Sequence, residues 1–354
     1  MQNLIMPMAG KSSRFNTSRP KWMLTHPHSG NYMALASISK LNLSIFDNLY
    51  FVFLQKHQDE FGFRTGFENQ LAQLGVLSKS KLIFLPQETE SPAQTINEAI
   101  KIADIRGKIY VKDSDSYFEL ELVDLEQCVT YCTLQQVELI DAKSKSYIQM
   151  DKFSTITNIV EKQVISSSFS VGGYGFSSAT EFSAAYEKIR KSDSEIYISD
   201  IIFQMMLSGA QFKGVQASGY EDWGTLESWE RYCKQFNTLF VDIDGTLIEN
   251  TSSLFEPYLG SGKPIYENIE VINKFYDSNK SFIILVTSRP ESFRDETISE
   301  LSKHDIRYHK LIMGLPHAKR FLINDFSTSN PFPSSISINL PRNSDNLGEY
   351  LNNL

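Results

Sequence analysis

The sequence predicts an α/β protein of two domains, and three observations carry that reading. Strand-like and helical stretches alternate from the N-terminus onward, as a parallel sheet with crossover helices requires. An apolar, largely β-branched run from Asn237 to Ile243 breaks abruptly into Asp242-Ile243-Asp244-Gly245-Thr246, which reads as a buried strand delivering two carboxylates to the carboxyl edge of a second sheet. The chain has 354 residues, beyond one typical domain of ~100 to 200 residues.

The elements follow in order. Asn3 to Met8 reads as a short strand that opens into Ala9-Gly10-Lys11-Ser12-Ser13-Arg14-Phe15, followed by Arg19-Pro20-Lys21-Trp22-Met23-Leu24. A strand leading to a small-residue loop with cationic side chains suits a triphosphate, because exposed backbone N–H groups and basic residues converge on phosphate oxygens. Asn48 to Leu54 and Lys81 to Leu85 are strand-like, with a helix predicted around Gln58 to Leu74 and another over Gln94 to Ala103. Gly107 to Val111 is the next strand, and it runs into Lys112-Asp113-Ser114-Asp115-Ser116. Two carboxylates at a strand end suit Mg²⁺, which takes one or two protein oxygens beside phosphate and water. Phe282 to Val286 is an apolar strand ending in Thr287-Ser288-Arg289-Pro290, Phe321 to Ile323 reads as a further strand, and Asn343 to Leu354 as a short closing helix.

Composition limits the function classes. With 41% hydrophobic and 21% charged residues the chain is an ordinary globular protein, and a net charge of −8 argues against nucleic acid or an acidic membrane surface as partner. No apolar run reaches the ~18 residues of a spanning helix, and the N-terminus lacks a signal-peptide pattern, so a cytoplasmic location is expected. The three cysteines, Cys128, Cys132 and Cys233, have no paired zinc-ribbon spacing and read as reduced thiols, with the Cys128–Cys132 pair read as buried strand cysteines ahead of a metal site. A homo-oligomer is compatible with the sequence.

The N-terminal pieces resemble the sugar-phosphate nucleotidyltransferases. The loop from Ala9 to Phe15 with Lys21 is similar to the family's signature, roughly G-x-G-x-R-F followed by P-K, with Ser12 in place of the second glycine and a shortened spacing to the lysine. Gln87 to Thr95 resembles the base-recognising loop, with Ser91 where the family usually has glycine. The resemblance implies that Ala9, Gly10, Gln87 and Ser91 bind nucleotide and that Arg14 and Lys21 act on its phosphates. It implies that Asp115, with Asp113 beside it, and Asp222 of the Asp-Trp-Gly-Thr segment hold Mg²⁺. Lys162, after Glu161, is then the acceptor-phosphate residue, and Gly173 and Tyr174 lie near the sugar. It covers residues 1 to about 235, with the order completed by Glu195 to Asp200.

The C-terminal pieces resemble the haloacid dehalogenase superfamily of phosphatases. The resemblance implies Asp242 as nucleophile, Asp244 as acid/base, Thr287 as phosphoryl hydrogen-bond donor and Lys319 as phosphoryl-pairing lysine, with Lys310 as runner-up. Asn324-Asp325 is similar to the fourth motif, so Asp242, Asp244 and Asp325 would share a second Mg²⁺. The short stretch between the first two motifs leaves little or no room for a cap, and Thr251 to Gly262 reads as a loop or small flap.

The expected architecture is therefore two Rossmann-like domains: residues 1–235 as a nucleotidyltransferase fold with a mixed sheet, and residues 236–354 as a dehalogenase-like fold. The expected function is bifunctional. A nucleoside triphosphate, CTP favoured, would give its nucleotidyl group to a sugar or polyol phosphate with release of pyrophosphate, and a Mg²⁺-dependent phosphatase would act beside it, in precursor synthesis for capsule or other surface glycans. Two alternatives stay open: a phosphatase with a non-catalytic nucleotide- or sugar-phosphate-binding N-terminal domain, and a transferase with an inactive dehalogenase-like interaction module.

Overall fold

The structure, a computed structural model, describes residues 1–10, 19–121, 126–137, 141–190, 195–250, 262–325 and 334–351. The chain divides into two compact units, Met1–Cys233 and Lys234–Leu354.

In the first unit the strands are β1 (Gln2–Pro7), β2 (Asn48–Leu54), β3 (Ser80–Leu85), β4 (Lys108–Lys112), β5 (Ser116–Glu119), β6 (Cys128–Thr133), β7 (Ser146–Met150), β8 (Ile156–Glu161), β9 (Ser168–Phe176), β10 (Lys213–Gln216) and β11 (Ser218–Asp222). Among the described residues the main sheet runs β10-β6-β9-β4-β1-β2-β3, with β7 joined to β8 and β9. It is mixed: β1 pairs parallel with β2 and β4, whereas β9 runs antiparallel to β4 and β6. β11 and β5 form a separate antiparallel pair with Asp222 opposite Ser116.

The side-chain alternation of a strand explains why β1 is central. Ile5 packs on one face with Val52, Val111 and the helix Pro92–Ile102, while Leu4 and Met6 pack on the other with Phe51, Trp22 and the helix Arg64–Gln73. Trp22 is 1% exposed and fixes the segment after the N-terminal loop, meeting Phe53 at 4.8 Å and Phe63 at 4.7 Å between ring centroids. The long helix expected around Gln58 to Leu74 is two helices, Gln55–Phe61 and Arg64–Gln73. Gly62 breaks it by taking a left-handed conformation, φ 58°, from which its N–H closes on the Gln58 carbonyl at 2.9 Å. Cys128 and Cys132 are buried thiols on β6.

In the second unit β12 (Asn237–Asp242), β13 (Ser281–Val286) and β14 (Lys310–Ile312) form a parallel sheet in that order. The helices Tyr266–Asp277 and Arg294–Lys303 contribute Ile269, Ile272 and Leu301 to its core. The strand expected at Phe321 to Ile323 is not formed. These residues are 82%, 56% and 89% exposed and lie in irregular chain, and among the described residues β12 keeps an open edge. The closing helix spans Leu347–Leu351. The expected flap falls at 251–261, outside the described residues.

Candidate active sites at two strand edges

In the first unit the carboxyl ends of β1, β3 and β4 converge, because the three strands run parallel. The Thr89 N–H reaches the Ala9 carbonyl at 3.4 Å, which ties the loop after β3 to the loop after β1. Ala9 is buried and Gly10 exposed, with open space where a Cβ would stand. Arg14 lies outside the described residues, as does Ser12.

Two ion pairs meet at this edge. Lys21, held by the turn in which Trp22 is buried, pairs with Asp115. Lys145 Nζ lies 2.7 Å from Asp222 Oδ2. Asp115 and Asp222, far apart in sequence, are brought together because β11 pairs with β5 and the Trp223 N–H bonds to the Asp115 carbonyl at 2.9 Å. A Cβ built on Gly224 would lie 2.9 Å from Asp222 Oδ1 and 3.5 Å from Asp115 Oδ2, so both carboxylates border one small cradle that glycine leaves open. This donor set fits Mg²⁺, which completes its shell with phosphate oxygens and water. Among the described residues no group of three or more His, Cys, Asp or Glu side chains is placed to hold a metal by itself.

Under the cradle, Lys112 is fully buried and donates to the carbonyls of Asp113 at 2.7 Å and Ser116 at 2.6 Å and to Ser116 Oγ at 2.9 Å, fixing the turn that carries Asp115. Burial pulls the Lys112 ammonium below its usual range, against the raising influence of Asp113 and Asp115. Burial and then the neighbouring Asp115 push the Asp113 carboxyl up.

Gly173 and Tyr174 are placed differently from expectation. A Cβ on Gly173 would stand 2.2 Å from Tyr110 Oη and 2.7 Å from Thr130 Oγ1, so the glycine is there to let β9 pass between neighbouring side chains. Tyr174 is buried in the core, and burial raises its hydroxyl well above the usual tyrosine range. Ser91 caps the helix Pro92–Ile102, its Oγ accepting from the Gln94 N–H at 3.2 Å, which accounts for a serine at that position, while Gln87 is exposed near the same loop. Lys162 is exposed, with its Nζ 2.5 Å from Tyr197 Oη, whose hydroxyl donates to Glu195 Oε2 at 2.6 Å.

In the second unit β12 delivers Asp242 to the sheet edge, and Gly245, at φ 89°, turns the chain behind it. Thr287 Oγ1, at the end of β13, donates to Asp244 Oδ2 at 3.2 Å. Arg289 is 1% exposed and forks between two carboxylates: its Nη2 lies 2.7 Å from Asp244 Oδ1 and its Nη1 2.6 Å from Glu300 Oε2. Burial raises the Asp242 carboxyl, with Arg320, 3.2 Å away, acting in the opposite direction. Two expectations are corrected. Arg320, not its neighbour Lys319, reaches Asp242, and Lys310 begins β14 level with Ile284, short of the carboxyl edge. Asp325 is exposed and does not join Asp242 and Asp244 in a metal-binding group, since no strand forms to carry it there.

Lys112, Lys145, Arg289 and Arg320 were missed by sequence reasoning. Arg289 and Arg320 each stand one or two residues from a motif position and were legible as its neighbours. Lys145 follows a short 3₁₀ turn, Ala142–Ser144, with no motif around it, and only the fold brings it to Asp222.

No protein-family model matches the chain, and no curated protein sequence matches it. Solved structures do. A nucleoside-diphosphate-sugar pyrophosphorylase from Vibrio cholerae is 18% identical with a TM-score of 0.55, covering 65% of this chain and 99% of that one. An inositol-1-phosphate CTP transferase from T. maritima is 14% identical with a TM-score of 0.50, covering 64% and 90%. A UDP-glucose pyrophosphorylase complexed with UDP-glucose is 15% identical with a TM-score of 0.53, covering 66% and 97%. At such identities the likeness is one of fold: the N-terminal part of the chain has the mixed α/β architecture of these nucleotidyltransferases.

Proposed function

We propose that the first unit transfers a nucleotidyl group from a nucleoside triphosphate, CTP favoured, to a sugar or polyol phosphate. The observation that carries this reading is the convergence of the Lys21–Asp115 and Lys145–Asp222 pairs at the carboxyl edge of a nucleotidyltransferase-like sheet. An acceptor phosphate oxygen attacks the α-phosphorus in line, the bond to the bridging oxygen breaks, and pyrophosphate leaves. Lys21 neutralises charge that builds on the donor phosphates, a role in which the sequence also casts Arg14, while Lys162 receives the acceptor phosphate. Ala9, Gly10, Gln87 and Ser91 surround the nucleotide through the loops after β1 and β3. Asp115 and Asp222 would hold Mg²⁺, whose chemistry when bound is to neutralise phosphate oxygens and orient them.

For the second unit the favoured reading is a phosphomonoesterase with Asp242 as nucleophile. Its support is the strand-end carboxylate pair, with Asp242 closing β12 and Asp244 held in place by Thr287 and Arg289. The dehalogenase likeness and a role in surface-glycan precursor synthesis belong to this proposal. Arg320 takes the cationic place beside Asp242.

The test is pyrophosphate release from CTP, UTP, GTP, ATP and dTTP with Mg²⁺ and a panel of sugar and polyol phosphates, in an Asp242→Asn background so that acceptors survive. Release with one pair of substrates, abolished in Asp115→Ala, is the expected result. Silence across the panel, with phosphate release intact in wild type, would leave a phosphatase carrying a binding domain. Transfer activity with no phosphate release by wild type would make the second unit an interaction module.

A further inference from the structure

Lys145 belongs to no motif, yet it holds the second carboxylate of the transfer site. Its ammonium lies 2.7 Å from Asp222 Oδ2 and donates to Tyr220 Oη at 2.9 Å, and the Lys145 and Asp222 side chains are only 14% and 16% exposed. Asp222 Oδ1, the other oxygen, faces the Gly224 cradle and accepts the Gly224 N–H at 2.9 Å. A divalent cation entering that cradle meets an ammonium already paired with the same carboxylate. In a shielded site the two positive charges repel strongly, so one of them must give way.

We infer that Lys145 is an exchangeable counter-ion: it neutralises Asp222 until a divalent cation binds there, and its ammonium is then released to the acceptor phosphate. The backbone supports the second half. The Lys162 N–H bonds to the Lys145 carbonyl at 2.9 Å, and Ser146 of β7 pairs with Glu161 of β8, so the two lysines leave adjacent strand ends. One side chain turns to Asp222, the other to Tyr197. A released Lys145 needs only to rotate about its own stem to stand beside Lys162. The inference rests on the reading of the first unit as a nucleotidyltransferase-type site. Its consequence is reciprocal: cation and acceptor phosphate bind cooperatively, because each takes one partner of the same ion pair.

The experiment is Mn²⁺ binding to the full chain without nucleotide, followed by electron paramagnetic resonance, in wild type, Lys145→Met, Lys145→Gln, Lys145→Arg and Asp222→Asn. Lys145→Met is expected to bind Mn²⁺ about tenfold more tightly than wild type, Lys145→Arg to stay close to wild type, and Asp222→Asn to lose binding. Inorganic phosphate is expected to tighten Mn²⁺ binding in wild type and to have little effect in Lys145→Met. Lys145→Gln makes the same comparison if the methionine variant does not fold. Neutral variants that bind Mn²⁺ no better than wild type, or that keep the full phosphate effect, overturn the inference. If binding appears on adding one of the five triphosphates but is indifferent to Lys145, the transferase reading stands and this inference alone fails. If no variant binds Mn²⁺ even with a triphosphate, the reading of the site fails and the inference with it.

Discussion

Arg289→Met is the perturbation whose cost the structure defines most directly. The guanidinium donates to Asp244 through Nε at 3.1 and 3.0 Å and Nη2 at 2.7 Å, and to Glu300 through Nη1 at 2.6 Å. Methionine fills much of the same volume but leaves two carboxylates, 14% and 8% exposed, without their cation. Removing one member of a buried ion cluster costs about 3–5 kcal/mol, chiefly the desolvation of the charges left behind. For a unit of this size, that corresponds to a fall of roughly 10–20 °C in its unfolding midpoint. The assay is hydrogen exchange with temperature, read on peptides from β13 and the helix Arg294–Lys303, so that the first unit does not enter the measurement. Glu300→Met combined with Arg289→Met should recover part of the loss, because one orphaned carboxylate is removed. A shift below about 3 °C in the single variant would refute the claim that this arginine is the unit's central charge clamp.

Three further outcomes follow from the geometry. If the second unit is the proposed phosphatase with Asp242 as nucleophile, Arg320→Gln should move the acid limb of phosphate release to higher pH: burial already raises the Asp242 carboxyl, Arg320 opposes this, and the nucleophile must be ionised; a pH–rate profile unchanged by the substitution would sink Arg320's assigned influence. His26 is lowered to about 4 by burial and by His28, and its Nε2 lies 2.9 Å from Tyr232 Oη. Its folded-state value lies below its unfolded one, so stability is full above the unfolded value near 6.5 and declines as pH falls toward about 4. Discounted for partial solvent access, the loss is about 2 kcal/mol, measurable as the difference in urea midpoints of wild type and His26→Gln at pH 7 and pH 4.5. Gly173→Ala should fail to accumulate as folded protein, since its Cβ would stand 2.2 Å from Tyr110 Oη, and soluble expression with native circular dichroism would contradict that packing.

Much of the first unit was legible because its strands are buried on both faces and read as continuous apolar runs. Asn48 to Leu54 matches β2 residue for residue, and the loops just past β1 and β4, at Gly10 and Asp115, mark the edge where charged groups collect. Less legible was what depends on pairing between distant segments. Nothing in Lys145-Ser146-Tyr147 announces a partner at Asp222, and Gly172-Gly173-Tyr174 looks like a ligand-lining stretch until Tyr110, Asp113 and Thr130 are seen pressing on the glycines. In the second unit the first two strand ends were readable from their apolar runs. Phe321 to Ile323 has the composition of a strand, but composition cannot supply the neighbouring backbone that a ladder needs.

The tryptophans have an optical consequence. The chain has three, and all lie in the first unit: Trp22 directly after Lys21, Trp223 directly after Asp222, and Trp229 5.3 Å from Trp223 between ring centroids. Excitation at the red edge of indole absorbance therefore sees only the first unit. Two of the three fluorophores are covalent neighbours of the residues proposed to meet phosphate and cation, so emission would follow loading of that site while turnover in the second unit passes unseen. If both proposed activities hold, one cuvette would follow the occupancy of one centre by light and the chemistry of the other by released phosphate, with no label added.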